Sequence, residues 1–207
     1  MICAIVLAAG ESRRMGIQKL LLPFGGTTVI AHVVDHLLRN ALDKVLVVVG
    51  HEGNRIADAL SDRRVSIVTN PNYKAGMLSS VRCGLRALPQ QCDTVMVVLG
   101  DQPAITSKLV DELVQAFAAT DKGIVVPLHC GRRGHPLVFS AHYRDEILTR
   151  YDGVGLRGLL RARPDDVFEL NVTTAAVLSD MDYPEDYRRE LALLGENAQK
   201  PHKLHQQ

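Results

Sequence analysis

The chain has 207 residues, a net charge of +1 and an ordinary apolar content, which fits one large domain that can bury a core without disulfides or metal staples. The near-neutral charge and the absence of tryptophan give no indication of a nucleic-acid or membrane partner. No apolar run is long enough to span a bilayer, and no two of the four cysteines have CxxC spacing. We therefore expect a cytoplasmic protein with reduced thiols.

Apolar strands alternate with amphipathic helices in the first part of the chain. The predicted strands cover 2–7, 44–49, 65–69, 94–99 and 123–127, and the predicted helices cover 28–40, 55–60, 77–88 and 107–119. Because the strands are continuously apolar, both faces of their sheet must be covered. The pattern predicts an α/β fold, Rossmann-like, with a mostly parallel sheet and helices on both faces.

The later part of the chain is less regular. We predict strands over 136–139, 167–170 and 176–178, and helices over 141–149, 156–163 and 184–194. From Gly195 onward the sequence is polar and ends in PHKLHQQ. The sequence therefore predicts a single domain, 1–194, followed by a disordered tail, 195–207.

Glycines and cations follow the first strand in the segment LAAGESRRMGIQK, residues 7–19. Gly10 and Gly16 can adopt positive φ, which lets successive N–H groups converge on an anion. Arg13, Arg14 and Lys19 add charge suited to phosphates. The segment could instead be a solvated surface loop, but its position at the carboxyl end of a buried strand favours a phosphate site.

Carboxylates mark two further segments. Asp101 follows the strand 94–99, where it could hold Mg²⁺ against phosphates or simply cap the helix that begins near Thr106. Asp180 and Asp182 alternate on one side of an extended segment. Asp182 could instead belong to the acidic first turn that precedes a helix opened by Pro184.

Two more motifs stand in the later part. His135 lies in RRGHP, where the neighbouring arginines indicate an anion contact, although a lone histidine could instead be structural. The segment GVGLRG, residues 153–158, has the form GxGxxG but follows a predicted helix rather than a strand. It therefore lacks the context of a dinucleotide-binding fingerprint.

The loop LAAGESRRMGIQK resembles the signature LAxGxSxRMGxxK of the MobA-like nucleotidyltransferases, and the whole chain is most similar to their molybdenum cofactor cytidylyltransferase branch. Further blocks that resemble this family are NPNYKAGMLSSVRCGL, GDQP, GRRGHPLVF, YDGVGLRGLL and SDMDYPEDY. Together they reach to about Tyr187. The resemblance implies a Rossmann-like nucleotidyltransferase domain.

The resemblance also implies roles for individual residues. The nucleotide-binding set is Leu7, Ala8, Ala9, Gly10, Arg14, Met15, Gly16, Lys19, Asn70, Gly76, Ser80 and Asp101. Within it, catalysis falls to Arg14, Lys19 and Asp101, and Mg²⁺ binding falls to Asp101 together with Asp182. The acceptor-binding set is Gly134, His135, Pro136, Gly153, Gly155 and Arg157.

The reaction implied is transfer of CMP from CTP to the phosphate of molybdopterin, with a molybdoenzyme as recipient of the product. The Ala9 methyl, where the guanylyl branch has glycine, favours the smaller pyrimidine base. Two competing reactions of the same fold are guanylyl transfer and transfer to a sugar or polyol phosphate. A hypothesis of another class is a non-catalytic carrier of the molybdenum cofactor.

Overall fold

The computed structural model describes the backbone of residues 1–199 and the side chains of residues 1–195. The strands are β1 (Ile2–Ala8), β2 (Pro23–Phe24), β3 (Thr27–Thr28), β4 (Lys44–Val49), β5 (Ser66–Thr69), β6 (Thr94–Leu99), β7 (Ile124–His129), β8 (Arg132–Arg133), β9 (Leu137–Ser140) and β10 (Val167–Asn171). The α-helices are α1 (Val29–Leu38), α2 (Gly53–Asp58), α3 (Met77–Ala87), α4 (Ser107–Ala119), α5 (Arg144–Thr149), α6 (Leu156–Ala162) and α7 (Pro184–Gln199). None of these helices has the length and apolar character needed to cross a bilayer.

The main sheet has the strand order β10-β7-β9-β6-β1-β4-β5. The short strand β8 lies outside this order and pairs with the last residues of β7. The pairs β1–β4, β1–β6, β4–β5 and β7–β10 are parallel, whereas β9 runs antiparallel to both of its neighbours. The predicted, mostly parallel α/β sheet is therefore confirmed. The chain moves outward from β1 through β4 to β5 and then returns to β6 on the other side of β1, so the topological switch point lies between β1 and β6.

Two apolar layers cover the sheet because successive side chains of a strand point to opposite faces. In β1, Ala4 and Val6 face α1, α2 and α4, whereas Cys3 and Ile5 face α3, α5 and α6. Residues of α7 pack at the edge of the first layer. Both faces are thus covered by helices, as the continuous apolar strands predicted.

Three local predictions differ from the structure. The predicted strand 176–178 is wrong, because Ala175–Leu178 forms a 3₁₀-helix whose Ala176 N–H donates to the hydroxyl of Thr174 at 3.2 Å. The predicted helix 141–149 divides into a 3₁₀-turn, Ala141–Tyr143, and α5. The last helix continues past Leu194 to Gln199, and residues 200–207 of the predicted tail lie outside the described residues.

Candidate functional site

A cavity of about 590 Å³ opens at the carboxyl ends of β1 and β6. Leu7 is in register with Leu99, and the Gly100 N–H donates to the Leu7 carbonyl at 3.0 Å. A Cβ on Gly100 would lie 2.9 Å from that oxygen, so only glycine lets the two strand ends meet this closely. The loops after β1 and β6 therefore border one space at the switch point.

Gln18 holds the loop after β1 in shape. Its buried side chain donates to the Gly10 carbonyl at 3.2 Å and to the His51 carbonyl at 3.4 Å, and it accepts from the Ser12 hydroxyl at 2.9 Å. The same hydroxyl accepts from the Lys19 N–H at 3.2 Å. Sequence reasoning missed Gln18, because a polar residue that braces a loop has no spacing signal of its own.

The backbone of this loop differs in one respect from the prediction. Gly16 has φ of 70°, as expected, but Gly10 does not adopt a positive φ. Ser12 does so instead, with φ of 51°. No atom lies within 4 Å of the place where a Gly10 Cβ would stand. Gly10 therefore leaves open space beside the cavity rather than supplying a left-handed turn.

Lys19 joins the two predicted metal ligands. Its Nζ lies 2.5 Å from an Asp101 oxygen and 3.0 Å from an Asp182 oxygen, and Arg14 Nη1 lies 2.5 Å from the other Asp182 oxygen. Side-chain exposure is 13% for Lys19 and 19% for Asp101. Residues far apart in sequence thus form one network of alternating charge at the strand ends.

The charges of this network shift two pKa values. Burial by itself would lower the pKa of Lys19, but the carboxylates of Asp101 and Asp182 outweigh it and hold that pKa above its usual value. Asp180 accepts from Gln102 Nε2 at 2.7 Å, yet burial, reinforced by the charge of Asp101, raises the pKa of Asp180. The carboxylates therefore favour the protonated form of Lys19. Burial and the nearby Asp101 carboxylate both disfavour ionisation of Asp180.

The carboxylates are free of the capping roles that they could have had. Thr106 caps α4, because its hydroxyl accepts from the Leu109 N–H at 3.3 Å. The N–H groups of Asp182 and Tyr183 donate to the Asp186 carboxylate at 3.0 and 2.9 Å, so Asp186 caps the start of α7. Asp101 and Asp182 thus turn their side chains to the cavity.

The residues present fit a divalent cation. The described chain contains no ready cluster of three or more histidine, cysteine or acidic ligands, but Asp101 and Asp182 already converge on one cation, the Lys19 ammonium. Mg²⁺ takes one or two protein carboxylates and completes its octahedron with phosphate oxygens and water. Two oxygen donors beside a phosphate site are therefore a sufficient protein contribution.

Most predicted nucleotide-binding residues border the cavity. Those that line it are Leu7, Ala9, Gly10, Arg14, Lys19, Gly76, Ser80, Asp101 and the predicted metal ligand Asp182. Ala8, Met15, Gly16 and Asn70 do not line it. Ala8 is buried beneath the loop, and Gly16 contributes to the turn rather than to the wall.

Asn70 supports the wall of the first cavity from behind. It is buried, and its amide donates to the hydroxyls of Ser79 and Ser80 at 2.9 and 3.0 Å. Its carbonyl oxygen accepts from the Asn72 N–H at 2.9 Å. Asn70 therefore fixes the start of α3, from which Ser80 reaches the cavity.

The cavity wall includes residues that sequence reasoning left out. They are Glu11, Ser12, Leu20, Tyr73, Lys74, Met77 and Leu99. Of these residues, Lys74 was the easiest to predict, because a lysine two residues before Gly76 repeats the pattern of cation and glycine in the first loop. Leu20 and Leu99 carry no such signal, since they have the character of core residues.

A second cavity, of about 600 Å³, adjoins the first. Gly76, Met77, Leu99 and Asp180 line both. The predicted acceptor residues Gly134, His135, Gly153, Gly155 and Arg157 line the second cavity, whereas Pro136 is buried and does not. Two segments that are well separated in sequence therefore meet at one wall.

Three arginines, of which Arg157 was predicted, contribute positive charge to the second cavity. Burial lowers the pKa of His135 and so disfavours the charged ring, and its role as an anion contact stays a prediction. Arg133 is paired with Glu169 at 2.7 Å. Arg157 and Arg161 also line the cavity, and among the described residues neither has an acidic partner within salt-bridge distance.

The segment 153–158 covers the end of the loop between α5 and α6 and the first residues of α6. It follows a helix and not a strand, as predicted, so it lacks the strand–turn–helix setting of a dinucleotide-binding fingerprint. Gly153 and Gly155 have φ of 71° and 73°, and the absence of side chains there lets the loop border the second cavity.

Comparison with known proteins bears on the identity of the first cavity. The family model described as the MobA-like NTP transferase domain matches residues 4–167, which include the loop after β1, Asp101 and the RRGHP segment. The chain belongs to this family. In a MobA-like NTP transferase, a cation-rich loop and a carboxylate at the ends of two central strands have the chemistry needed to hold a triphosphate.

Two curated relatives cover nearly the whole MobA-like chain. The molybdenum cofactor cytidylyltransferase of Escherichia coli is 28% identical over 88% of this chain and 92% of its own length. The nicotine blue oxidoreductase of Paenarthrobacter nicotinovorans is 27% identical over 92% of this chain and 96% of its own. Proteins with differently named activities are thus similar to this chain over most of their length.

A solved relative supports the same fold. The crystal structure of Rv0371c from Mycobacterium tuberculosis superimposes with a TM-score of 0.83, 27% identity and coverage of 92% of this chain and 97% of that chain. Rv0371c has also been crystallised in complex with manganese. The Rossmann-like nucleotidyltransferase fold predicted for this chain is therefore confirmed.

Proposed function

We propose that this protein transfers CMP from CTP to the phosphate of molybdopterin, which gives molybdopterin cytosine dinucleotide and pyrophosphate. The observation that carries the proposal is the pair of adjoining cavities, one with a cation-rich loop and carboxylates and one with two arginines that no described acidic residue pairs. A nucleotidyl transfer needs both substrates side by side. The E. coli relative named as a molybdenum cofactor cytidylyltransferase supports the choice of substrates.

The first cavity would hold CTP by its triphosphate. Arg14 and Lys19 supply positive charge, and the open backbone at Gly10 lets phosphate oxygens approach main-chain N–H groups. Ala9 is 6% exposed and lines the cavity, so its methyl group reduces the width available to a base. This favours a pyrimidine over a purine.

Asp101 and Asp182 would hold Mg²⁺ against the triphosphate. When bound, the ion would withdraw charge from the phosphate oxygens as the new bond forms. Lys19, released from the two carboxylates, would then be free to contact the phosphates. The triphosphate oxygens would then replace the two carboxylates as the negative charge that keeps the ammonium protonated.

The acceptor phosphate would attack the α-phosphorus of CTP in line. A new P–O bond forms to the acceptor oxygen, and the bond between the α-phosphorus and its bridging oxygen breaks, so the electron pair leaves with pyrophosphate. Arg14 and Lys19 stabilise the charge on that leaving group. No covalent enzyme intermediate is needed, because positioning and charge neutralisation supply most of the rate enhancement.

A pyrophosphate-release assay tests the proposal. Purified protein is incubated with Mg²⁺ and each of the four nucleoside triphosphates, with and without molybdopterin, and the product is identified by mass. We expect release only with acceptor present and fastest with CTP. Equal or faster turnover of GTP would support guanylyl transfer.

Transfer to a different acceptor and a carrier role would give different outcomes in the same assay. Turnover with a sugar or polyol phosphate in place of molybdopterin would support a sugar- or polyol-phosphate nucleotidyltransferase. Binding of molybdopterin without release of pyrophosphate from any of the four nucleotides would support the hypothesis of a non-catalytic carrier. Each of these results contradicts the proposed reaction and leaves the family assignment intact.

A further inference from the structure

The predicted metal ligand Asp182 lies in a segment without regular structure, residues 179–183. This segment runs from the end of the 3₁₀-helix Ala175–Leu178 to the start of α7, so neither a sheet ladder nor a helix fixes its backbone. Asp101 stands instead in the turn directly after β6. A metal site that needs both carboxylates therefore depends on contacts that join the segment 179–183 to that turn.

Gln102, the next residue after Asp101, makes two of these contacts. The residue is 1% exposed, and its Nε2 donates to an Asp180 carboxylate oxygen at 2.7 Å and to the Val177 carbonyl at 3.5 Å. An ionised carboxylate and a carbonyl oxygen only accept, so these partners fix the orientation of the amide. The Asp101 carbonyl adds a third contact, because it accepts from the Met181 N–H at 3.2 Å.

The oxygen of the same amide has no such function. Gln102 Oε1 is buried without a hydrogen bond to the described residues, which costs the desolvation of that atom. A methionine would fill a similar volume without burying an unpaired polar atom. The position therefore favours glutamine for its N–H groups, which hold Asp180, and not for its volume.

The ion pairs of Asp182 cannot take over this role during the proposed reaction. Arg14 and Lys19 contact its carboxylate in the structure, but both cations are proposed to turn to the phosphates. Asp182 then loses the contacts that hold its side chain. The hydrogen bond between Gln102 and Asp180 involves neither cation, so it remains when they leave.

We infer that Gln102 is a positioning residue for the metal site. Through its buried hydrogen bond to Asp180 it holds the segment 179–183, and with it Asp182, opposite the turn after β6. Gln102 lines neither the first nor the second cavity, so it acts through the segment and not by contact with a ligand. The inference rests on the proposed function in that Asp101 and Asp182 are the metal ligands.

Binding of Mn²⁺ to the full-length, nucleotide-free protein tests the inference, with free Mn²⁺ measured by electron paramagnetic resonance. Gln102→Met removes the donor and keeps the length of the side chain, and Gln102→Glu sets a second carboxylate against Asp180. The exchange of Gln102→Glu with Asp180→Asn rebuilds the hydrogen bond in the opposite direction at unchanged net charge. Gln115→Met, at an exposed position on α4, is the control, and a melting curve establishes that each variant folds.

We expect Gln102→Met and Gln102→Glu to weaken Mn²⁺ binding by about 10- to 100-fold, the loss typical of residues that support metal ligands. The exchange should restore most of the lost affinity. Asp182→Asn should cost little more in the Gln102→Met background, because its carboxylate is already displaced there and the two losses are not additive.

Three results would overturn the inference. A lower melting temperature of Gln102→Met with unchanged Mn²⁺ affinity would mean that Gln102 serves stability alone. Additive losses in Gln102→Met and Asp182→Asn would mean that Gln102 does not act through Asp182. If the exchange restores the melting temperature but not Mn²⁺ affinity, the charge of Asp180 itself holds the metal.

Failure of the proposed function gives different results. Unchanged Mn²⁺ affinity of Asp182→Asn in the wild-type background would refute the metal ligands of the proposed function, and this inference would fall with them. Failure of CMP transfer alone would refute the proposed reaction. It would leave the Mn²⁺ measurements, and the role that they give to Gln102, unchanged.

Discussion

At the scale of single residues, the Lys19 ammonium occupies the position between two carboxylates that a metal ion would need. It contacts Asp101 and Asp182 at 2.5 and 3.0 Å. This arrangement stabilises both carboxylates because neither is left without a counter-charge. It also makes Lys19 a competitor of the metal.

Lys19→Met tests this competition. Turnover should fall by roughly 10²-fold, because the positive charge that stabilises the pyrophosphate leaving group is lost. Mn²⁺ should bind the nucleotide-free variant more tightly than it binds the wild type. Mn²⁺ affinity is measured by calorimetry and turnover by pyrophosphate release. Lys108→Met, at a side chain that is 87% exposed, is the control, and unchanged Mn²⁺ affinity in Lys19→Met would refute the competition.

Substitution of the carboxylates gives a second prediction. Asp101→Asn should lose most of its turnover at any Mg²⁺ concentration, because the more buried of the two carboxylates contributes the stronger charge. Asp182→Asn, at a side chain that is 39% exposed, should be partly rescued by high Mg²⁺. Turnover is measured over a range of Mg²⁺, with the 79%-exposed Asp62→Asn as control. Normal turnover of Asp101→Asn at low Mg²⁺ would place the metal-binding carboxylates elsewhere.

At the scale of secondary-structure elements, the contact between α3 and the sheet depends on a glycine. A Cβ on Gly84 would lie 2.6 Å from Ile5 Cγ2 and 3.1 Å from Val48 Cγ2. Because α3 begins at the wall shared by both cavities and carries Ser80, its distance from the sheet also fixes the shape of the site. Sequence periodicity identified this helix but not the distance.

Gly84→Ala should therefore destabilise the protein by about 1–3 kcal/mol through overpacking, despite the helix propensity that alanine gains. Gly195→Ala is the matched control, since no atom lies within 4 Å of its added Cβ, and it should stabilise α7 by up to about 1 kcal/mol. Urea unfolding measures both. Equal effects of the two substitutions would show that α3 can move away from the sheet at no cost.

At the scale of the whole molecule, stability should depend on pH through three partly buried histidines. Burial is the largest cause that lowers the pKa values of His32, His36 and His135. The unfolded chain then binds more protons than the folded chain once the pH falls below the unfolded value of about 6.5. Their contribution to stability is present above that pH and is lost as the pH falls through the folded pKa values.

The free energy of unfolding should accordingly decrease between pH 7.5 and pH 5.5, and urea unfolding at several pH values measures the slope. The double variant His32→Gln, His36→Gln should show a smaller slope than the wild type, whatever its absolute stability. His36 accepts from the Ser107 N–H at 3.3 Å, so absolute stability is expected to fall as well. An unchanged slope would mean that other groups cause the acid sensitivity.

The sequence determined the alternation of strands and helices, because the side chains of each buried strand are apolar on both faces and each helix has an apolar stripe, which are local properties. It also indicated the loop after β1 and Asp101, since glycines, cations and a carboxylate at strand ends have a recognisable pattern. The later motifs, from Gly134 to Arg157, were identified only as far as their resemblance to the family reached.

The tertiary structure alone decided how these parts combine. Lys19 meets Asp182 across 163 residues, and the energy of that contact depends on a distance and a degree of burial that no local pattern specifies. Asn70 supports Ser80 from a buried position, and burial lowers the pKa of His135, because desolvation is set by the neighbours that folding brings to a side chain. The sequence specifies which chemical groups the protein has, whereas packing decides the partners and the pKa shifts of those groups.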